Sequence, residues 1–390
     1  MKKTNLIIAT LISSILLCSC FPSEEITNTE NNAPLSNIRT NEFDEEKMKS
    51  IKETLTIADN VIQGNPSEHI TINITNNSCD NNLEPLNFKY HSFSEKELEG
   101  IFTNPMISAT DRNDSQIKIR EDDEYENYNI ISITTDRDKI ISGAGWVKYT
   151  TSESELNDLN LLVSYNSTNI RDDIDDIYSR NLPSKINTND YLNNSNEILS
   201  TLNIKCSSEP SVYYLDKETL SYRYETDSNE AKHFDNDYLL ICYNDFSYNN
   251  IKIYNSPVQW TYSGAYDGTS FYMLINADNN QIVYFKGNGL FDINSVTPIS
   301  SPQKTISLLD AVCVATHEYT QILTPNDIQI SNAYLNYIPV KEDAKIIWIP
   351  CWIIESNQSV DIWNEKNNEY YTKTIKEKKY INALNGKVMR

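Results

Sequence analysis

The chain has 390 residues and carries 55 Asp and Glu against 33 Lys and Arg, a formal net charge of −22. So acidic a surface repels nucleic-acid phosphates and anionic lipid headgroups, which excludes nucleic-acid binding and close adhesion to a charged bilayer. Hydrophobic residues at 39%, with 25 Tyr and 5 Trp, supply enough apolar surface for a buried core, which excludes a disordered chain.

Met1-Lys2-Lys3 is a positive start, and Leu6 to Leu17 is an apolar stretch broken only by Thr10, Ser13 and Ser14. These are the parts of a secretory signal peptide, and the stretch is too short for a spanning helix, which needs about 20 apolar residues. Leu17-Cys18-Ser19-Cys20 follows at once. It resembles the lipobox of bacterial lipoproteins, with Cys20 rather than Cys18 at the cleavage point. That resemblance implies residues 1–19 as signal peptide, Cys20 as the lipidated first residue of the mature chain, and an address on the extracytoplasmic face of the cell membrane. A diacylglyceryl group on Cys20 is then a permanent tether, since two acyl chains hold where one does not.

Residues 20–50 are polar and acidic and read as a flexible tether, with a short helix starting near Asp44. A first domain is expected over 51–204. His69 to Ile74 alternates apolar and polar as a half-buried strand. Ser94 followed by Glu97 is a capping box that starts a helix. Strands are expected at Ile130–Thr134, Gly145–Tyr149 and Leu161–Tyr165, with a turn at Asp136–Lys139. Helices are expected at Ile170–Tyr178 and Asp190–Leu202.

A second domain is expected over 205–390. Strand patterns appear at Tyr238–Tyr243, Ile251–Tyr254, Ser270–Ile275 and Gln281–Phe285, the last two joined by the polar turn Asn276–Asn280. Ile306, Leu309, Val312, Cys313 and Thr316 fall at helical spacing, so Thr305–Leu323 is expected to be a helix capped by Thr305 or Ser307 and ended by Pro325. Strands follow at Ile328–Ile338, Ala344–Glu355 and Tyr370–Leu384, with Pro350 expected to force a bulge or an end. Asn385-Gly386 is a hairpin signal that folds Lys387-Val388-Met389 back on Tyr380-Ile381-Asn382-Ala383.

The closing pattern is a helix, a crossing strand, an apolar strand with Pro350 and Trp352, and then Asn382, Ala383 and Gly386. It resembles the PepSY-type module, over about 302–390, and is similar to the C-terminal lobes of Yyc-type extracytoplasmic accessory proteins of Gram-positive bacteria. The whole chain resembles lipoproteins of clostridia and their relatives. The resemblance implies an α+β fold of antiparallel sheets with packed helices, in two or more PepSY-like or cystatin-like lobes. It implies an interaction or inhibitory module and supplies no catalytic residues.

Chemistry-bearing motifs are sparse. His317-Glu318 begins like a zincin helix, but Gln321 stands where the second histidine is needed. The 4 His are far apart in sequence. Glu121–Glu124 and Asp172–Asp176 lack the glycine and spaced oxygens of an EF-hand, so calcium stays open. Gly264–Ser270 lacks the serine of a nucleophile elbow. Of the cysteines after Cys20, Cys242, Cys313 and Cys351 sit in apolar runs and read as buried small hydrophobes, whereas Cys79 and Cys206 sit in polar surroundings and are free to pair or not. Trp260, Tyr262, Tyr266 and Tyr272 cluster around one loop as possible contacts for a peptide or glycan. No cofactor and no metal is called for. The expectation is a non-enzymatic, lipid-anchored module of the cell envelope that meets an envelope or membrane protein. A peptide- or glycan-binding lipoprotein is the alternative, and an envelope hydrolase has no motif behind it.

Overall fold

The computed structural model describes residues 45–389 except 59, 76–81, 104–115, 123–127, 136–137, 153–154, 166–168, 171–173, 179, 185, 229, 255–257, 261–263, 267, 322–325, 343–344 and 365–368. Cys20 and Cys79 therefore lie outside the described residues.

α1 (Glu45–Glu53) comes first, followed by the meander β1 (Leu55–Ala58), β2 (Val61–Ser67) and β3 (Ile70–Thr75). α2 (Glu95–Thr103) precedes a second meander of β4 (Gln116–Asp122), β5 (Tyr128–Thr134), β6 (Lys139–Gly143) and β7 (Trp146–Thr150). Three helices follow: α3 (Leu156–Val163), α4 (Ile174–Ile177) and α5 (Thr188–Thr201). Next come β8 (Ser211–Leu215), α6 (Lys217–Ser228), β9 (Tyr238–Tyr243), β10 (Phe246–Tyr248), β11 (Ile251–Ile253), β12 (Ser270–Asn276) and β13 (Ile282–Asn288). The last elements are α7 (Leu308–Thr320), β14 (Ile328–Glu342), β15 (Lys345–Asn364), β16 (Glu369–Asn382) and β17 (Val388–Met389). The fold is α+β, as expected, and among the described residues no helix is long and apolar enough to cross a membrane.

One sheet has the path β1-β2-β3-β14-β15-β16-β17, antiparallel along it except where β3 lies parallel to β14 through Ile328↔Ile70 and its neighbours, and off this path β11, paired with β10, lies parallel to β14 at Lys252↔Asn336 and Ile253↔Tyr337. The other runs β8-β9-β12-β13-β7-β6-β5-β4 and is antiparallel throughout. This corrects the expected division into 51–204 and 205–390. Each sheet takes strands from both sides of residue 204, β1–β3 joining β14–β17 and β4–β7 joining β8, β9, β12 and β13. Strand pairing is non-local, so composition along the chain cannot place such a boundary.

The second sheet is covered on both faces, which is why β9 and β12 are buried at every position. Leu239, Ile241, Phe271, Met273 and Phe285 pack with Leu98, Ile101 and Phe102 of α2 and Ile198 and Leu199 of α5. The alternate residues Tyr238, Leu240, Cys242, Tyr272, Leu274 and Tyr284 pack with Leu156, Leu159 and Leu162 of α3 and Leu220 of α6. That spacing on α3 is helical, which overturns the strand expected over Leu161–Tyr165. A two-residue strand, Ser164–Tyr165, is all that remains of it.

In the first sheet, Ile62, Ile72, Ile74, Trp352, Ile354 and Ile381 pack with α1 and α7 through Met48, Ile51, Leu308, Val312, Cys313 and Tyr319. α7 starts where expected. The Ser307 hydroxyl accepts the Asp310 N–H at 3.1 Å and donates to the Asp310 carboxylate at 2.7 Å. Trp352 Nε1 donates to the Ile306 carbonyl at 3.0 Å, fixing the helix entry to β15.

Pro350 neither bulges nor ends its strand: β15 pairs with β14 straight through Tyr337↔Pro350. The irregularity lies at Ile330 to Asn332 instead. The Pro350 carbonyl accepts the Ala383 N–H at 2.9 Å, so its nitrogen faces the same side. The β15–β16 ladder has already stopped there at Cys351↔Asn382, so the missing donor is not required. Asn385-Gly386 turns as expected, with Gly386 at φ 74° and β17 pairing Tyr380↔Met389 and Ile381↔Val388.

Candidate functional site

β15 runs to Asn364, well past the end expected at Glu355. Its ladder with β14 stops at Ile328↔Gln358, whereas its ladder with β16 continues to Asn364↔Glu369. Beyond Gln358 these two strands therefore form a two-stranded ribbon. Among the described residues, the outer edge of β16 is bonded at its end alone, through Tyr380 and Ile381 to β17 and through Asn382 to the turn before it.

This ribbon carries most of the large apolar side chains that the described structure exposes. Trp363 is 43% exposed, Tyr370 69%, Tyr371 47% and Ile375 42%. Trp363 and Tyr370 face one another across the strands at 4.8 Å between ring centroids and 62° between planes. Ile362↔Tyr371, Val360↔Lys373 and Gln358↔Ile375 lie on the face that Ile354 and Ile381 present to α7 further down the strands. The core face of the sheet thus continues past the end of the helix that covers it. Lys373 and Lys376 add positive charge to a chain of net charge −22. A lone two-stranded hairpin is marginal in water, and exposed aromatic clusters mark contact surfaces.

The residues expected from sequence to touch a ligand fare differently. The described backbone puts Trp260 and Tyr266 on the short strands Val258–Trp260 and Gly264–Tyr266, paired Trp260↔Gly264 and Val258↔Tyr266. Their side chains, and Tyr262 altogether, lie outside what the structure describes. Tyr272 is a correction: it is fully buried, its ring 5.7 Å from that of Tyr284. Alternation on a strand covered by helices on both faces turns Tyr272 inward, toward α3 and α6.

Cys242, Cys313 and Cys351 are buried cysteines, as expected, Cys206 is half-buried, and none of the four is in a disulfide among the described residues. Burial pushes the Cys206 and Cys313 thiols up to about 12 and the Cys351 thiol well above its ordinary value, so none is a ready nucleophile. The acidic side chains of Glu121–Glu124 and Asp172–Asp176 lie outside the description. Among the described residues no group of three His, Cys, Asp or Glu could hold a metal ion. His317 lies in the last turn of α7.

No protein-family model and no curated protein sequence matches the chain. Two solved structures were matched to it. One is an uncharacterised protein from Eubacterium rectale, with a TM-score of 0.60 at 15% identity, covering 89% of this chain and 98% of that one. The other is the C-terminal domain of YpeB from Bacillus megaterium, with a TM-score of 0.30 at 12% identity, covering 77% of this chain and 97% of that one. The first likeness shows a shared fold along nearly the whole of the described chain.

Proposed function

We propose that this chain is a non-enzymatic protein-interaction or regulatory module of the cell envelope, tethered to the outer face of the membrane through a lipid on Cys20. The observation that carries the interaction reading is the ribbon of β15 and β16, with Trp363, Tyr370, Tyr371 and Ile375 exposed on it. The tether rests on Leu17-Cys18-Ser19-Cys20 and the apolar run before it. The PepSY-like assignment of the last elements rests on their order, α7 followed by three antiparallel strands, and on the turn at Asn385-Gly386.

The partner expected is an envelope or membrane protein. Peptide or glycan binding is the second reading, favoured by the edge-to-face pair Trp363 and Tyr370, whose exposed rings offer a stacking face. Photocrosslinking in living cells tests both. A benzophenone amino acid at Tyr371 should give one reproducible protein adduct that the same probe at Tyr222, exposed on α6, does not. Adducts of equal pattern from both positions would remove the ribbon as the contact surface. Cys20→Ser should release the chain from the membrane fraction, and its retention there would overturn the anchor.

A further inference from the structure

A cavity of about 170 Å³ opens beside β10. Its walls come from the segment before α2, the turn after α5, β10, and the segment after β13. Three backbone bonds build one wall: His91 N–H donates to the Leu290 carbonyl, Gly145 N–H to the His91 carbonyl and Leu290 N–H to the Gly145 carbonyl, at 2.9–3.0 Å. Only a glycine fits the middle of this closure, since Gly145 has φ 73° and a Cβ there would run into the Tyr90 ring.

His91 lines the cavity, is 9% exposed, and has no hydrogen-bond partner at Nε2. Glu97 Oε1 is 3.9 Å away, out of bonding reach, because Oε2 of the same carboxylate is held by the Ser94 N–H and hydroxyl at 2.7 Å each. Nε2 itself has no exposed surface, so this imidazole helps to shape the wall and offers the cavity no donor.

We propose that this cavity binds a small zwitterion, an α-amino acid with an apolar side chain. The donors suit a carboxylate. They are the Lys205 ammonium and the Ser207 hydroxyl, which accepts from Ser247 at 2.8 Å and keeps its own proton to give. Asp292 suits the ammonium group: one of its oxygens accepts the Asn294 N–H at 2.9 Å and the other has no described partner. Phe246, Leu290 and Phe291 line the apolar part of the wall. A cavity of roughly 150 Å³ holds a benzene, so this one suits a leucine- or valine-sized body. The proposal is independent of the ribbon.

Calorimetric titration of the full chain with L-leucine, L-valine, 4-methylpentanoate and 3-methylbutylamine tests it. L-Leucine or L-valine should bind saturably with Kd below about 1 mM. The acid and the amine, each lacking one charge, should bind at least about tenfold more weakly. Lys205→Ala, at an exposed residue, should weaken L-leucine binding about five- to tenfold with Tm unchanged, and Asp292→Asn should also weaken it. No binding by any of the four probes overturns the proposal. So does equal binding of leucine and 4-methylpentanoate, which is a plain anion site, and so does leucine affinity indifferent to both variants.

Discussion

Tyr319 Oη and Ser356 Oγ lie 2.7 Å apart in the buried interior, joining the last turn of α7 to the middle of β15. Lys379 Nζ sits 4.9 Å over the same Tyr319 ring and 2.6 Å from Glu377, so β16 is drawn into the same junction. Just beyond this point the helix stops and the ribbon begins.

Removing that hydroxyl should loosen the junction without emptying it. Tyr319→Phe keeps the ring and leaves Ser356 unsatisfied, which costs about 1–3 kcal/mol. Denaturant unfolding should show a lower midpoint at unchanged slope.

Trp352 and Trp363 lie on one strand but should respond oppositely. Trp352 is 3% exposed within the core between the sheet and α7, so Trp352→Ala should cost about 3–5 kcal/mol. Trp363 is 43% exposed, so Trp363→Ser should stay within about 0.5 kcal/mol of the parent chain. The ribbon variant should nonetheless lose the crosslinked adduct. Comparable destabilisation by the two variants would mean that the ribbon packs against the body of the protein.

Asp310 and Lys52 give stability a defined pH dependence. Burial alone would raise the Asp310 carboxyl, but hydrogen bonds from Lys52 and Ser307 outweigh it and hold the group below its ordinary value. Its contribution is therefore present above the unfolded carboxylate pKa and lost as pH falls through the lower folded value. Lys52 is raised by its hydrogen bond to Asp310 against desolvation, so its contribution is lost only as pH rises above the ordinary lysine range. Asp310→Asn should lower the urea midpoint at pH 7 and flatten its fall below about pH 4.

The four described thiols should resist alkylation in the native state. With Cys206 and Cys313 pushed up to about 12 and Cys351 well above its usual value, thiolate is scarce at pH 8. Cys242 is shielded by burial instead, at 1% exposure. Iodoacetamide at pH 8 followed by peptide mapping should leave all four unlabelled, and denaturant should expose them all. Rapid native labelling of Cys206 would mean that the wall of the cavity beside it opens.

Gly145→Ala should be destabilising by about 1–3 kcal/mol, since it puts a Cβ at positive φ against the Tyr90 ring. The effect should reach His91 through the Gly145 and Leu290 backbone bonds, so NMR shifts of the His91 ring should move with it.

Local rules determined much of this protein from sequence alone. Ser94 with Glu97, Ser307 before α7, the Asn276–Asn280 turn and Asn385-Gly386 each satisfy their own backbone groups within a few residues, so their structures follow from spacing. The apolar runs at Tyr238–Tyr243 and through Trp352 announced strands, and the order of strands and helices announced an α+β fold. Tertiary structure decided what depends on distant partners. Two sheets that each cross residue 204 arise from strand pairing over hundreds of residues, which carries no local mark. Tyr272 was a surface aromatic or a core one until α3 and α6 covered its face of the sheet. The ribbon exists because β14 stops pairing at Ile328 while β15 and β16 run on, and the cavity because Gly145, His91 and Leu290 meet from three segments. Burial and orientation at these places are properties of the neighbours a residue acquires, and only the folded chain supplies them.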